Sequence, residues 1–264
     1  MRGDNTGAIV RKLHSETVAP REGRDPMQRL EADDLKGVSE TLLIPLHYHV
    51  EESKRAGGAF KDEMTERFHD AILYEWDRFA SEPLRSGMPI RTAILDEQVG
   101  NFIAGAPDGL VVNLGAGLDT RFYRLDDGTI RWIELDLPNV IAFRRKLQEP
   151  QSERHQLVAA SVLDEGWVRQ VKLHARSRVL FVAEGLFPYF TEDEHRRIFG
   201  DLADGFPGQG MLFQTSAPSL VRGFVEHSDL SKLGTNIQLG WGLDDGRQVS
   251  SLNPKVEFIR EFSS

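Results

Sequence analysis

Two glycines one residue apart, Gly115 and Gly117, follow the apolar run Val111-Val112-Asn113-Leu114, and two carboxylates, Glu134 and Asp136, close the next apolar run. This pairing can hold a nucleoside. Glycines at a strand end let backbone approach a ligand, and an acid at the tip of the next strand accepts ribose hydroxyls. Ala116 stands between the glycines and Leu137 follows the acid, so both belong to the same cradle. Two-residue spacing puts Glu134 and Asp136 on one face of their strand. Asp136 is the expected ribose acceptor, and Glu134 is left to support the glycine loop or a neighbouring arginine. Where the dinucleotide fingerprint has its third glycine, this chain has Leu118-Asp119-Thr120, which suits a single nucleoside better than a pyrophosphate. A further acid, Glu184, ends the run Val179-Leu180-Phe181-Val182-Ala183. At the tip of a central strand it lies over the crevice where such sheets bind ligands.

Other chemistries are excluded by what the chain lacks. The 264 residues contain no cysteine, so disulfides, thiolate metal sites and a cysteine nucleophile are ruled out. The eight histidines form no H-x-x-x-H or H-E-x-x-H pattern, and neither a G-x-S-x-G elbow nor a P-loop occurs. A formal charge of −9 argues against nucleic acid or an anionic membrane as partner, since phosphate binding needs clustered Lys and Arg. No apolar run reaches membrane-spanning length, and residues 1–14 lack the apolar core of a signal peptide. The expectation is a cytoplasmic protein acting on small molecules.

The elements that must position these residues alternate. Strands are expected over residues 110–114, 130–136, 155–161, 178–184, 211–216 and 256–262, and helices over 120–123, 139–148, 165–173, 192–202 and 217–226. Thr191 followed by three acids is a helix start. Strand–helix alternation predicts an α/β fold with a doubly wound, mostly parallel, Rossmann-like sheet. Before it, apolar spacing predicts helices over 62–79 and 91–103. The chain divides into a flexible arm (1–37), a helical cap or lid (38–108) and the nucleoside-binding domain (109–264).

Taken together, the segments Asn113-Leu114-Gly115-Ala116-Gly117-Leu118-Asp119-Thr120-Arg121 and Glu134-Leu135-Asp136-Leu137-Pro138 resemble the leucine carboxyl methyltransferase family. Glu40-Thr41-Leu42-Leu43-Ile44-Pro45-Leu46, Ile90-Arg91-Thr92 and Ala183-Glu184-Gly185-Leu186-Phe187-Pro188-Tyr189-Phe190 are similar to its bacterial, tetracenomycin-type polyketide O-methyltransferase branch. The resemblance implies a class I methyltransferase fold with S-adenosyl-L-methionine as methyl donor. It implies that Arg91 pairs with the donor's carboxylate and that Gly115 and Gly117 lie under its methionine and ribose parts. Asp136 would then hold the ribose hydroxyls, Ser161 and Val162 lie beside adenine, and Glu184 face the donor's amino end. Two departures stand out. Ser161 replaces an Asp found in some members, with Asp164 nearby. Residues 256–262 read as the first of two closing antiparallel strands, so the last sheet strand is missing, and an edge left open invites a homodimer.

The expected function is therefore O-methylation of a small-molecule acceptor, a carboxylate or phenol of a secondary metabolite. No catalytic residue is assigned. A phenol would call for a base or cationic neighbour from His47, His49 or Arg121, and Phe187, Tyr189 and Phe190 are candidates to line the acceptor pocket. The rival readings are a nicotinamide-dependent oxidoreductase and a non-catalytic nucleoside-binding partner protein.

Overall fold

Five of the apolar runs become neighbours in one sheet. The computed structural model describes residues 29–32, 35, 37–148, 152–175, 178–219, 221, 229–233 and 239–262. Its five-stranded sheet holds β3 (Leu110–Leu114), β4 (Arg131–Asp136), β5 (His155–Ala159), β6 (Val179–Ala183) and β7 (Gly210–Phe213) in the order β5-β4-β3-β6-β7. Every pairing is parallel. Parallel strands are covered on both faces and so read as unbroken apolar runs, and β3 and β6 are buried along their whole length.

Helices connect the strands: α4 (Arg121–Leu125), α5 (Pro138–Leu147), α6 (Trp167–Lys172) and α7 (Glu192–Gly205). Alternate residues of each strand serve opposite faces. On one, Val112, Leu114, Ile133 and Phe181 pack with Trp167 of α6 and Ile198 and Phe199 of α7. On the other, Val111, Trp132, Leu180 and Val182 pack with Phe122 of α4. Val99 and Ile103 join that second cluster; they come from α3 (Glu82–Gly105), the long helix preceding the sheet. The chain winds outward from β3 through β4 to β5, then returns to start β6 on the other side of β3. The strand order therefore reverses between β3 and β6, and a crevice opens beyond their C-terminal ends.

Above that crevice sit α1 (Leu43–Lys54), α2 (Glu63–Ala71) and a 3-10 turn, Gly37–Leu42. Their own cluster, including Leu43, Ile44, Tyr48, Phe68 and Met88, also takes in Leu118, Val140 and Phe143 from the sheet's loops and α5.

The structure corrects four sequence expectations. The helix expected over 62–79 stops at Ala71 and gives way to β2 (Ile72–Leu73) and a 3-10 turn at Trp76–Arg78. There Trp76 stacks on His69 at 4.1 Å and lies parallel to His47 at 6.0 Å, so its apolar surface serves an aromatic cluster rather than a helix stripe. The helix expected over 91–103 begins nine residues earlier, running through Pro89 from Glu82 to Gly105. Within the arm expected over 1–37, Leu30–Glu31 forms β1 and pairs in parallel with β2; residues 1–28 lie outside the described residues. Finally, residues 256–262 form no strand. Val256 and Phe258 pack against the sheet cluster while Ile259 is 77% exposed, so the alternation there is one of packing, without a ladder partner among the described residues. The helix expected over 217–226 lies largely outside the described residues.

Candidate functional site

Beyond β3 the chain turns through Gly115 and Gly117, both left-handed with φ of +63° and +52°, a region that costs other residues a Cβ clash. A Cβ on Gly115 would stand 2.6 Å from Leu186 Cδ1, and one on Gly117 3.3 Å from Leu42 Cβ. The loop is tied to the tip of β4. Gly117 N–H donates to Asp136 Oδ2 at 2.7 Å and Leu137 N–H to Oδ1 at 2.6 Å, while Ala116 N–H donates to the Leu135 carbonyl at 3.1 Å. Burial pushes the Asp136 carboxyl above its ordinary value, against the hydrogen bonds from Gly117 and Leu137 and the charge of Arg144.

Glu134 points away from the crevice into a fully buried pair with Arg144 of α5, at 3.0 Å, and accepts from Asn113 Nδ2 at 3.1 Å. Arg144 also donates to the carbonyls of Gly117 and Asp119. Beside it, Arg121 at the start of α4 is wholly buried and donates to Asp96, Asp119 and Glu184. Its burial opposes the charge, but these three carboxylates outweigh it and raise its pKa well above normal.

Glu184, at the tip of β6, is the meeting point. Oε1 accepts from Arg91 Nε at 2.7 Å and from Thr92 Oγ1 at 2.9 Å, and Oε2 accepts from Arg121. Burial would raise its pKa, yet Arg91 and Arg121 hold the carboxyl far below the usual range. Arg91, on α3, also donates from Nη1 to Gln214 Oε1 at 2.9 Å. Its Nη2 makes no hydrogen bond among the described residues. His49 Nε2 lies 2.9 Å from Thr92 Oγ1. Since that hydroxyl gives its proton to Glu184, the imidazole must donate from Nε2. Burial lowers the His49 pKa to about 4, with Glu184 opposing.

One cavity of about 1450 Å³ connects these groups; Arg91, Gly115, Ala116, Gly117, Asp136, Leu137, Ser161, Val162 and Glu184 all line it. Ser161 and Val162 follow β5 at the far wall. Ser161 N–H donates to Asp164 Oδ2 at 2.9 Å and Ser161 Oγ accepts from Leu163 N–H at 3.1 Å, so Asp164 serves its own turn and does not line the cavity. The side under the cap is apolar, with Leu42, Leu46, Leu84, Met88, Tyr189, Phe190 and Leu230.

The structure separates the remaining candidates. His49 lines the cavity, but His47 does not; it belongs to the aromatic cluster around Trp76. Arg121 is sealed behind the loop. Phe187 is fully buried against Phe199, Phe213 and Trp241, so it is core, whereas Tyr189 and Phe190 reach the cavity. Sequence reasoning missed Thr92, Gln214, Asp96 and Arg144. Thr92 stands in the Ile90-Arg91-Thr92 segment and Gln214 is a polar residue just beyond an apolar strand, so both had a signal; Asp96 and Arg144 are ordinary helix residues until the fold brings their partners.

A family model described as leucine carboxyl methyltransferase matches residues 47–203. The chain is 32% identical over 233 residues to the tetracenomycin polyketide synthesis O-methyltransferase TcmP of Streptomyces glaucescens, covering 87% of this chain and 84% of that one. It is 27% identical over 245 residues to the S-adenosyl-L-methionine-dependent methyltransferase dpfgK of Gibberella zeae, covering 85% and 81%. A solved structure of human N-acetylserotonin methyltransferase with its donor overlays with a TM-score of 0.42 at 14% identity, covering 81% of this chain and 60% of that one.

Proposed function

The chain belongs to the leucine carboxyl methyltransferase family and is an S-adenosylmethionine-dependent O-methyltransferase; from that premise we propose that its acceptor is the carboxylate of a small, largely apolar molecule such as a polyketide-type secondary metabolite. The observation that carries this reading is the apolar side of the cavity, where His49 is the one imidazole among the described lining residues and its Nε2 is already engaged by Thr92 Oγ1. Of the three basic candidates only His49 lines the cavity among the described residues, and burial pushes its ring down to about 4. Taking a proton from a phenol (pKa ~10) would run about six units uphill. A carboxylate is already ionised at neutral pH and needs no base.

The residues present fit the donor. The two left-handed glycines leave a backbone cradle that a Cβ would fill, and both oxygens of Asp136 keep acceptor capacity beyond the backbone N–H each receives. Asp136 would take the ribose hydroxyls, and Arg91 Nη2 the donor's carboxylate. Glu184 would face its ammonium, and Ser161 and Val162 would flank adenine. When bound, the donor supplies a methyl group on a positively charged sulfur, activated for in-line displacement. The chain's contribution is alignment and exclusion of water, which can lower a barrier by roughly 7–11 kcal/mol. The apolar wall from Leu46 to Leu230 strips water from the acceptor.

No described helix is long and apolar enough to cross a membrane. A small-molecule acceptor, a cytoplasmic setting and no nucleic-acid partner complete the reading, together with homodimerisation through the β7 edge; a single monomeric species in sedimentation velocity overturns that last element. The acceptor test uses isotopically methyl-labelled donor with an aromatic polyketide acid and with its analogue bearing a blocked carboxyl and a free phenol. The expected product is a base-labile methyl ester of the acid. A base-stable methyl ether overturns the carboxylate assignment, and donor binding without transfer to either class is the behaviour of a non-catalytic partner.

A further inference from the structure

A buried ion pair is a poor source of stability, because desolvating two charges offsets most of their attraction and an apolar pair of similar volume does as well or better. Glu134 and Arg144 are both completely buried, so what else they touch gives the pair its role. The guanidinium donates Nε to Gln148 Oε1 at 2.7 Å, Nη1 to the Gly117 carbonyl at 2.9 Å, and Nη2 to both the Asp119 carbonyl at 2.6 Å and Glu134 Oε1 at 3.0 Å. Glu134 is oriented in turn by Asn113 Nδ2 at 3.1 Å, with His155 Nε2 3.4 Å from its Oε1.

The glycine loop needs such a partner. Reversing the chain twice in the left-handed region turns the carbonyls of Gly117 and Asp119 out of any strand ladder, and buried carbonyls left unpaired are costly. Arg144 collects both with one planar fork. Gly117 is thereby held at each end of its backbone: its N–H by Asp136 and its C=O by Arg144. Glu134 and Asp136 are two residues apart on one strand, so a single strand tip governs both sides of the loop.

We propose that the Glu134–Arg144 pair positions the donor-binding loop, fixing Gly117 against Asp136 so that the ribose acceptor is set before the donor arrives. The proposal rests on the reading of this crevice as the donor site. Arg144 touches neither the cavity nor a reacting atom, so it is a positioning residue and acts through the two carbonyls. A lysine keeps the charge opposite Glu134 but has a single ammonium in place of a fork, and cannot hold both carbonyls in the same geometry.

The test is calorimetric titration of the full chain with S-adenosylhomocysteine, paired with amide hydrogen exchange. The variants are Arg144→Lys, the charge-neutral double variant Glu134→Gln/Arg144→Met, and Asp136→Ala as the reference for losing the ribose contact. The expected result is roughly tenfold to a hundredfold weaker binding in the double variant and a smaller loss in Arg144→Lys. Amides of residues 115–121 should exchange faster while β3, β4 and β6 stay protected. Arg144→Lys carries the test if the double variant fails to fold. Wild-type affinity in both Arg144 variants, with Asp136→Ala weakened, overturns the positioning role alone. Wild-type affinity in Asp136→Ala overturns the donor-crevice reading itself. Faster exchange throughout the sheet marks the pair as merely structural and overturns the proposal.

Discussion

Asp136 accepts one backbone N–H on each oxygen, and the lone pairs left over belong to a carboxylate at the wall of the cavity. Replacing it with Ala removes those acceptors together with the anchors of Gly117 and Leu137 N–H, outside the apolar core, and charge-assisted hydrogen bonds are worth about 1.5–3 kcal/mol. Donor affinity should fall by a matching factor in calorimetry while the far-ultraviolet circular dichroism stays unchanged. Gly115 makes a different demand, because its φ of +63° and the Leu186 side chain both oppose a methyl group. Gly115→Ala should lower the melting temperature and weaken donor binding. Adding Leu186→Ala should recover the packing part only, since a left-handed alanine still costs roughly 1–2 kcal/mol; full recovery would show that the backbone carries no strain there.

At the scale of elements, α7 starts with a complete capping box: Thr191 N–H donates to Glu194 Oε2 at 2.7 Å, and Glu194 N–H to Thr191 Oγ1 at 3.3 Å. Thr191→Ala should cost about 1 kcal/mol in chemical denaturation. Because Thr191 lies outside the cavity, donor affinity should be untouched. That helix start was legible from Thr191 and its three acids, as were β3 and the glycine turn, because local chemistry decides them. The end of α2 was not legible: Ile72 and Trp76 continue a helical spacing, but Ile72 pairs with Leu30 and Trp76 stacks against His47 and His69. Residues 256–262 alternate as a strand would, but alternation does not supply a neighbour, and none is present among the described residues. The acids at the tips of β4 and β6 line the cavity, a position legible because a parallel sheet exposes its strand ends. Arg121, one of three candidates for a cationic neighbour of a phenol, is instead wholly buried among carboxylates from α3, the glycine loop and the tip of β6, three segments that only the fold unites.

For the whole molecule, the buried histidines set an acid limit. Burial lowers the pKa of His47, His49, His69 and His195, that of His49 from 6.5 to about 4. At these four sites the unfolded chain therefore binds more protons than the native one below about pH 6.5. The stability these groups contribute is complete above that value and is lost as the pH falls toward 4, with His49 alone accounting for about 3 kcal/mol. Urea melts at pH 7.5, 6 and 5 should show a steady loss of stability, and His49→Gln should flatten the slope. An unchanged slope would remove His49 from the account.

The parallel order also dictates when the crevice can exist. β3 pairs with β4 across a single crossover, but its other neighbour, β6, comes only after α5, β5 and α6 have been made. A nascent chain leaving the ribosome thus carries the glycine turn, Arg91 and Arg121 while the carboxylate that joins the two arginines is still untranslated. Until that late strand docks, Arg121 has only Asp96 and Asp119 to pair with, Arg91 has no carboxylate, and the wall of the crevice that Glu184 supplies is missing.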